Sequence, residues 1–545
     1  MENKGESLLD EIFITITDAN FMNIIPQFCD EIFLHDLMGV SLKKAIKNSG
    51  HNKPKSWFAL KQILEKLTRP FTIIQEVFYV DSSFRDTYYM YFSNQHFDVK
   101  RYSRRLSFIQ GSICFSDFFS TDNNLDIEIE NNFMGSCVIN PTVNGSVGRT
   151  LINPKYLMLD CQMPIYLRLS KFTIHVYGRE FHIEAFPYRM QDEETMRCAE
   201  VSTLNIIEYF SNTYHDYRSV LPSEITSSNQ KHNHERVLPS RGMPYPILTK
   251  VFSDFGYSPR LYNLYAIDKF PFANVDQNIE LKRLLHYYIE SGLPVAVNLI
   301  SKENESDAHS VVCIGHGKRK EELLANAQKN KNILWEERDN GHPLINAADL
   351  YDEYVIVDDN VPVYQVRKYN QLTSYSDMYA VNLAVPLYKR MFLDAPNAYA
   401  TVTSLLRLQG FRIEDWVNGY LELNENIVIR LYMASSRKFK SFRRKNLASF
   451  SARVSYSFIP MPRFIWVCEL YKTEDFITGN GAFGEIVLDA TSAPNRSYRS
   501  IIMLHYPGII AYRDTQELEA KFTETFLIEN DELLVPYGEN LKKIP

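Results

Sequence analysis

The order of segments between residues 185 and 390 places the strongest constraint on how this chain folds. Helical periodicity comes first, at 198–210, 244–255 and 279–291, and β-branched runs follow near 294–299, 309–315, 354–357 and 363–366. A doubly wound α/β sheet would alternate helices and strands throughout. An early helix followed by a run of strands predicts an α+β domain instead, with the helix packed on an antiparallel sheet.

The length of the chain indicates that this segment is one of several domains. A chain of 545 residues is too long for a single hydrophobic core. Hydrophobic residues at 45% and charged residues at 23% are typical of a soluble globular protein. The predicted division is an N-terminal α+β module at 1–125, a β-rich segment at 126–185, the helix-and-sheet domain at 186–392 and a C-terminal α/β module at 393–545.

Charge and cysteine content limit the classes of partner and compartment. The formal net charge of −7 argues against a chain that binds nucleic acid or a membrane surface over its whole area. The sequence has no apolar run of about 18 residues, and its N-terminus lacks the pattern of a secretory signal. Seven dispersed cysteines, an odd number, favour a reducing compartment. We therefore expect a cytoplasmic protein.

Several local patterns predict the remaining elements. The patterns indicate helices at 41–46 and 57–67, a strand at 71–79, loops at 122–132 and 211–243, and a charged surface insertion at 318–337. The loops are assigned because their residues are polar and lack a clear apolar period.

Cys198 is the first candidate for chemistry. It opens a segment in which apolar residues recur one helical turn apart, at Val201, Leu204, Ile207 and Phe210. The helix is expected to bury one face and to hold the thiol at its exposed end. The partial positive charge of a helix N-terminus stabilises a thiolate in the first turn. A buried structural cysteine is the alternative interpretation.

His309 and Asp358 supply the other two groups that a nucleophilic thiol requires. His309 opens one β-branched run and Asp358 closes another, 354–358. An imidazole on a neighbouring strand would accept the thiol proton, and a carboxylate on its other nitrogen would fix its tautomer. A half-exposed strand histidine and a turn-initiating aspartate are the alternatives. Asp359 is expected to point away from the site if the strand continues.

Gln191 is a candidate for transition-state stabilisation. It lies seven residues before Cys198 in the sequence. A side-chain amide there, together with the backbone N–H of Cys198, would form an oxyanion hole. A surface glutamine in a loop is the alternative interpretation.

Taken together, these residues resemble the papain-like cysteine peptidases, most closely the bacteriocin-processing (double-glycine) peptidase-like branch. The resemblance covers about residues 185–390 and includes 241–243 and 292–297. It departs from the family pattern in a glutamine-to-cysteine spacing that is one residue longer, in Ala199 where glycine is frequent, and in a longer histidine-to-aspartate interval.

The resemblance implies a papain-like α+β fold and a thioester mechanism. Cys198 would be the nucleophile, His309 the base and acid, Asp358 the orienting carboxylate and Gln191 the oxyanion donor. No cofactor is implied. The implied protein is a bacterial cysteine hydrolase that cleaves a peptide or isopeptide bond, with flanking modules that recognise a protein partner. A transglutaminase-like acyltransferase or deamidase and a non-catalytic papain-like scaffold remain alternatives.

Two groups of residues could be metal ligands. His309, Cys313 and His316 form one group, and His232 and His234 form the other. Zinc sites normally use closely spaced pairs of ligands on hairpins or a helix. Cys313 instead lies inside an apolar run, and the second group lies in a polar segment. We therefore expect no metal site.

Two further motifs could bind phosphate groups. Residues 435–445 form a basic run with interleaved aromatic residues, which we interpret as a solvated face. Residues 479–484 match Gly-x-Gly-x-x-Gly, but a strand-like segment follows them, whereas a dinucleotide fingerprint opens a helix. We interpret this motif as a turn.

Overall fold

The structure is a computed structural model of the full chain. It describes residues 12–36, 53–96, 99–142, 147–161, 163–265, 277–304, 306–330, 342–408, 410–417, 419–422, 425–494, 499–513, 522, 524–527 and 533–545. The helix predicted at 41–46 and the end of the charged insertion lie outside these residues.

A five-stranded antiparallel sheet forms the N-terminal part of the molecule, in the order β1-β2-β3-β4-β5. Its strands are β1 (Phe13–Ile16), β2 (Phe71–Tyr79), β3 (Ser103–Gln110), β4 (Phe133–Ile139) and β5 (Val147–Ile152). Its helices are α1 (Phe21–Asp30), α2 (Lys55–Lys66), α3 (Ser82–Met90), α4 (Phe115–Phe118) and α5 (Asn123–Asn131). The helix predicted at 57–67 and the strand predicted at 71–79 are therefore confirmed.

The loop predicted at 122–132 is wrong, because this segment forms α5. The Asp122 carboxylate caps the helix by accepting the N–H of Asn124 at 2.9 Å. Leu125 and Ile129, one turn apart, pack into the apolar cluster below. The polar composition obscured a capping residue and a two-residue apolar stripe.

A hairpin follows, with β7 (Ser170–Val176) and β8 (Arg179–Ala185) paired after β6 (Ile165–Leu167). Alternate residues of β7 are buried, as expected for a strand with one solvated face. The hairpin packs beside β4 and β5, so it extends the N-terminal core rather than forming a separate unit.

The central sheet is antiparallel, in the order β14-β13-β11-β10-β15-β9. The strands of this region are β9 (Arg260–Asn263), β10 (Val295–Ser301), β11 (Ala308–His316), β12 (Leu344–Asn346), β13 (Glu353–Asp358), β14 (Val361–Lys368) and β15 (Met378–Val385). Its helices are α6 (Cys198–Thr213), α7 (Pro222–His232), α8 (Tyr245–Asp254), α9 (Gln277–Glu290) and α10 (Leu324–Lys329). The predicted α+β class is confirmed.

Two local predictions in this region need correction. The loop predicted at 211–243 contains helix α7, which Pro222 opens and the Glu224 carboxylate caps through the N–H of Leu221. Helix α6 does not bury only one face, because all residues from Ala199 to Phe210 are buried. It is enclosed by β11, the hairpin strand β7 and helices α7 and α8.

A third sheet follows the order β12-β16-β17-β18-β19-β20-β21. Its later strands are β16 (Ile427–Ser435), β17 (Phe464–Lys472), β18 (Gly484–Asp489), β19 (Ile501–Tyr506), β20 (Ile509–Tyr512) and β21 (Glu524–Leu527), and β22 (Lys542–Ile544) ends the chain. The helices are α11 (Ala395–Leu405), α12 (Ile413–Trp416), α13 (Ser436–Asn446), α14 (Phe450–Phe458) and α15 (Thr473–Thr478). Among the described strands of this sheet, β12–β16 is the one parallel pair, so this region differs from the expected α/β arrangement.

Strands are exchanged between the segments. The terminal strand β22 pairs with β6, which pairs in turn with β11 of the central sheet. Gly315 permits this close approach, because a Cβ there would collide with the carbonyl oxygen of Tyr166. Strand β12 lies between β11 and β13 in the sequence, but it pairs with β16 of the third sheet instead of a strand of the central sheet.

One apolar core joins the three sheets, and it includes Ile73 of β2, Leu204 of α6, Val311 of β11 and Leu431 of β16. This shared core fixes helix α6 against the central sheet. Among the described residues, no helix is long and apolar enough to cross a membrane.

Candidate active site

Cys198 is the first residue of helix α6, and its side chain is partly exposed. The preceding residue, Arg197, has extended backbone and acts as the N-cap. The Glu200 carboxylate accepts the backbone N–H of Arg197 at 3.1 Å, which fixes the start of the helix. The side chain of Cys198 therefore lies at the positive end of the helix dipole, beside the free N–H groups of the first turn.

His309 lies at the start of β11 and faces this helix end. Its imidazole is buried, and Nε2 donates to Asp358 Oδ1 at 2.9 Å. Burial acts to lower the pKa of His309, but hydrogen bonds to Asp358 and to the Cys198 thiol raise it well above its ordinary value. The imidazolium form is thus favoured between a sulfur and a carboxylate.

Asp358 ends β13 and is itself held by two further donors. Thr373 Oγ1 donates to its Oδ2 at 2.9 Å, and the N–H of Asn360 donates to its Oδ1 at 3.0 Å. Burial acts to raise the pKa of Asp358, but the hydrogen bond and charge of His309 lower it. Asp358 therefore begins the turn after β13 and also contacts the His309 imidazole. Its role in orienting that imidazole stays a prediction.

Gln191 lies in the same cleft as Cys198 and His309. Its Nε2 donates to Asn360 Oδ1 at 3.0 Å, and Asn360 Nδ2 lies 3.5 Å from His309 Nε2. The second hydrogen on Gln191 Nε2 is not required by this bond. The four residues predicted from the sequence are brought to one site, and their catalytic roles stay predictions.

Tyr375 and Asn360 are residues of the site that the sequence did not reveal. The ring of Tyr375 meets the His309 imidazole edge to face, with centroids 5.7 Å apart. The side chain of Tyr375 is itself 44% exposed. Neither residue belongs to a periodic pattern, and Asn360 in an Asp-Asp-Asn turn is the signal that was available.

The expectation that Asp359 points away from the site is wrong. Strand β13 ends at Asp358 and the chain turns, so Asp359 Oδ1 lies 3.7 Å from His309 Nε2. The carboxyl is buried, and its Oδ2 has no hydrogen-bond partner among the residues that the structure describes. Burial raises the pKa of Asp359 to about 7, the charge of His309 opposes this rise, and the charge of Asp358 adds to it.

One group of side chains among the described residues has the spacing of a metal site. Ligand atoms of His309, Asp358 and Asp359 lie within 4.8 Å of one another. The Nε2 atom of His309 is already bonded to Asp358, and the imidazole lines the cleft together with Cys198. A metal ion would have to replace this hydrogen bond, so the donor set fits a thiol site better than a metal site.

The other candidate motifs lie elsewhere. His232 pairs with Asp254 at 3.2 Å at the end of α7, and Cys313 is buried within β11. The motif at 479–484 begins at the left-handed Gly479 after α15 and leads into β18, as expected for a turn.

The basic run at 435–445 forms helix α13, and its interpretation as a solvated face is wrong for one residue. Arg443 is completely buried and pairs with Glu485 at 2.6 Å and Glu469 at 3.0 Å. These carboxylates project from two adjacent strands of the third sheet. The helix is therefore anchored by a structural ion pair.

The cleft above Cys198 has a volume of about 580 Å³. Its floor includes Tyr245, whose hydroxyl lies 3.0 Å from Ser310 Oγ, and its walls come from residues 233–245 and from β10, β11 and the segment around Tyr375. The thiol opens into a space that accommodates a peptide-sized group.

No protein-family model matches the chain, and no curated protein matches it in sequence.

Proposed function

We propose that this protein is a cysteine hydrolase with a papain-like arrangement of helix and sheet, and that it cleaves a peptide or isopeptide bond. The observation that carries the proposal is the placement of the His309 imidazole, whose Nε2 pairs with Asp358 Oδ1 at 2.9 Å and which lines the same cleft as Cys198. A surface histidine on a strand has no need of such a buried carboxylate partner. The antiparallel central sheet with α6 packed on it supports the fold assignment.

The mechanism follows from these positions. The Cys198 thiolate attacks the substrate carbonyl carbon, and the carbonyl oxygen becomes an oxyanion that the Gln191 amide and the Cys198 N–H stabilise. The His309 imidazolium donates its proton to the leaving amine as the C–N bond breaks, which leaves a thioester. Neutral His309 then removes a proton from water, and the hydroxide oxygen attacks the thioester to release the acid and the thiolate.

Asp358 and Tyr375 support these steps without touching the substrate carbonyl. Asp358 holds the imidazole in one orientation and stabilises the imidazolium. The ring of Tyr375 packs edge to face against the imidazole and thereby restricts its rotation.

Digestion of a proteome-derived peptide library tests the proposal, with new N-termini identified by mass spectrometry. Wild-type protein should generate new N-termini that Cys198→Ser and His309→Ala proteins do not generate. The exposed Cys114→Ser variant is the matched control and should cleave like wild type. Cleavage that persists in Cys198→Ser would contradict the proposal.

A parallel digestion with an added primary amine separates hydrolysis from acyl transfer. Hydrolysis gives free carboxylates, whereas a transglutaminase-like enzyme would join the amine to glutamine side chains. Conversion of glutamine to glutamate without backbone cleavage would indicate a deamidase. No modification by protein with an intact Cys198 would favour the non-catalytic scaffold.

A further inference from the structure

The charged residues of the cleft are distributed unequally. Arg197, Arg236 and Arg241 line it on the side of residues 233–245, whereas Glu235 is the one acidic lining residue among those described. The chain as a whole has a net charge of −7, so this concentration of cations runs against the general balance. A cleft lined by one sign of charge raises the local concentration of ligands of the opposite sign.

The arginine-bearing loop is fixed directly to the helix of the nucleophile. Ser240 Oγ donates to the buried Glu200 carboxylate at 2.9 Å, and the N–H of Gly242 donates to Ser240 Oγ at 3.1 Å. Arg197 Nε donates to the carbonyl oxygen of Ser240 at 3.2 Å. Because Glu200 also caps α6, these bonds hold the loop beside the Cys198 thiol.

Arg236 and Arg241, the two exposed arginines of the cleft, remain available to a ligand. Arg241 and Glu235 are 87% and 83% exposed, and their closest charged atoms are 3.9 Å apart, so the pair is loose. Such an exposed pair contributes little and is readily exchanged for another carboxylate. Arg236 is also exposed. The lining residues Asn298 on β10, Met378 on β15 and Ser306 in the loop after β10 are uncharged.

Building on the proposed thiol chemistry, we infer that the cleft selects acidic peptide segments and that Arg236 and Arg241 set this selectivity. Aspartate or glutamate side chains of the substrate bind along the 233–245 wall while the scissile carbonyl lies over Cys198. Guanidinium groups suit this role because they bind carboxylates through two parallel hydrogen bonds. A cleft of about 580 Å³ fits a few residues of extended peptide.

The first test compares two alkylating reagents that differ in charge, iodoacetate and iodoacetamide. The ratio of their rates at Cys198 reports the local potential. His309 also attracts the anion, so the ratio is compared between wild type and Arg236→Glu/Arg241→Glu. We expect the iodoacetate-to-iodoacetamide ratio to fall about threefold or more at low salt, and the difference to shrink at about 1 M salt.

Arg437→Glu/Lys438→Glu is the matched control, because it changes the net charge equally on exposed residues of α13. This control should retain the wild-type ratio. An equal fall in both double variants would show that only the overall charge matters and would overturn the inference.

The second test uses two peptidyl vinyl sulfones that differ only in glutamate or glutamine next to the reactive group. The glutamate probe should inactivate wild-type protein faster, and this preference should be lost in Arg236→Glu/Arg241→Glu. Equal rates for both probes, with Cys198 still selectively labelled, would overturn the acidic preference alone. If neither iodoacetamide nor the probes react preferentially at Cys198, the proposed function fails and this inference fails with it.

Discussion

At the scale of single residues, the proposed chemistry depends on the orientation of the His309 imidazole, which a chain of hydrogen bonds fixes. Asp358 bonds to Nε2 of His309, and Thr373 and Asn360 hold Asp358 in turn. Each bond removes rotational freedom from the next group, so the imidazole is oriented before substrate arrives. Asp359 adds a second buried carboxyl within 3.7 Å of the same nitrogen. This carboxyl stabilises the imidazolium only when it is ionised.

Asp359 therefore predicts a pH-dependent cost to stability. Its pKa is about 7 in the folded chain, above the ordinary value near 4. The folded state then retains a proton that the unfolded chain releases between about pH 4 and pH 7, so stability falls as the pH rises through this window. Asp359→Asn should stabilise the protein at about pH 8 by the order of 1 to 4 kcal/mol, with little change near pH 4.

Thermal melting at both pH values measures this effect. Asp307→Asn, at an exposed aspartate of the neighbouring loop, is the control and should show no such difference. A gain from Asp359→Asn that is the same at both pH values would show that ionisation is not its cause.

At the scale of elements, buried ion pairs fix helices on sheets. Helix α13 is rich in cations, and Phe439 is its buried apolar residue. Arg443 adds a polar anchor, because it bonds to Glu485 on β18 and to Glu469 on β17. The three side chains are fully buried, so the loss of Arg443 leaves Glu485 without this cation, whereas Glu469 still pairs with Arg430 at 2.8 Å.

Arg443→Ala is accordingly expected to destabilise the third sheet. Removing one partner of a buried ion pair typically costs about 3 to 5 kcal/mol. The neighbouring Arg444→Ala is the matched control, because Arg444 is exposed on the same helix and its loss should change stability by about 0.5 kcal/mol or less. Urea midpoints followed by Trp466 fluorescence compare the two variants. Equal midpoints would contradict the structural role given to Arg443.

At the scale of the whole molecule, the N-terminal sheet is joined to helix α6 through the Glu208 carboxylate of that helix. This carboxylate bonds to Arg149 of β5 at 2.6 Å and to Arg189, which precedes the helix. Burial acts to raise the pKa of Glu208, but the two guanidinium groups lower it to about 2. The N-terminal sheet is thereby coupled to helix α6, which carries Cys198.

Glu208→Gln should therefore loosen this junction. Because the folded pKa is lower than the ordinary carboxyl value near 4.3, the stabilisation is fully present above that value and is lost as the pH falls towards 2. We expect a loss of about 3 kcal/mol at neutral pH that shrinks under acid conditions. Hydrogen exchange in β5 and α6 measures it, with the exposed Glu322→Gln as control. Faster exchange spread evenly over the chain would argue against a local junction.

Local sequence patterns were sufficient for much of the fold and for selecting four residues that the structure brings together, whose catalytic roles stay predictions. Periodicity located β2, and it located α6 to within its last turn. Asn360 and Asp359 could not be assigned to the site, because their positions depend on where β13 ends and how the chain turns. The pairing of β22 with β6 joins residues far apart in the sequence, and no local pattern encodes such a contact. Helices α5 and α7 were missed because their caps lie in polar sequence.

The reactivity of Cys198 relative to the other cysteines tests the central claim most directly. Cys114 is exposed, whereas Cys198 is only partly exposed, so accessibility alone would favour Cys114. We predict that iodoacetamide alkylates Cys198 about tenfold or more faster than Cys114 at about pH 5.5, as quantified by peptide mass spectrometry, and that His309→Ala removes this advantage. A wild-type protein in which Cys114 reacts as fast as Cys198, or faster, would contradict the account.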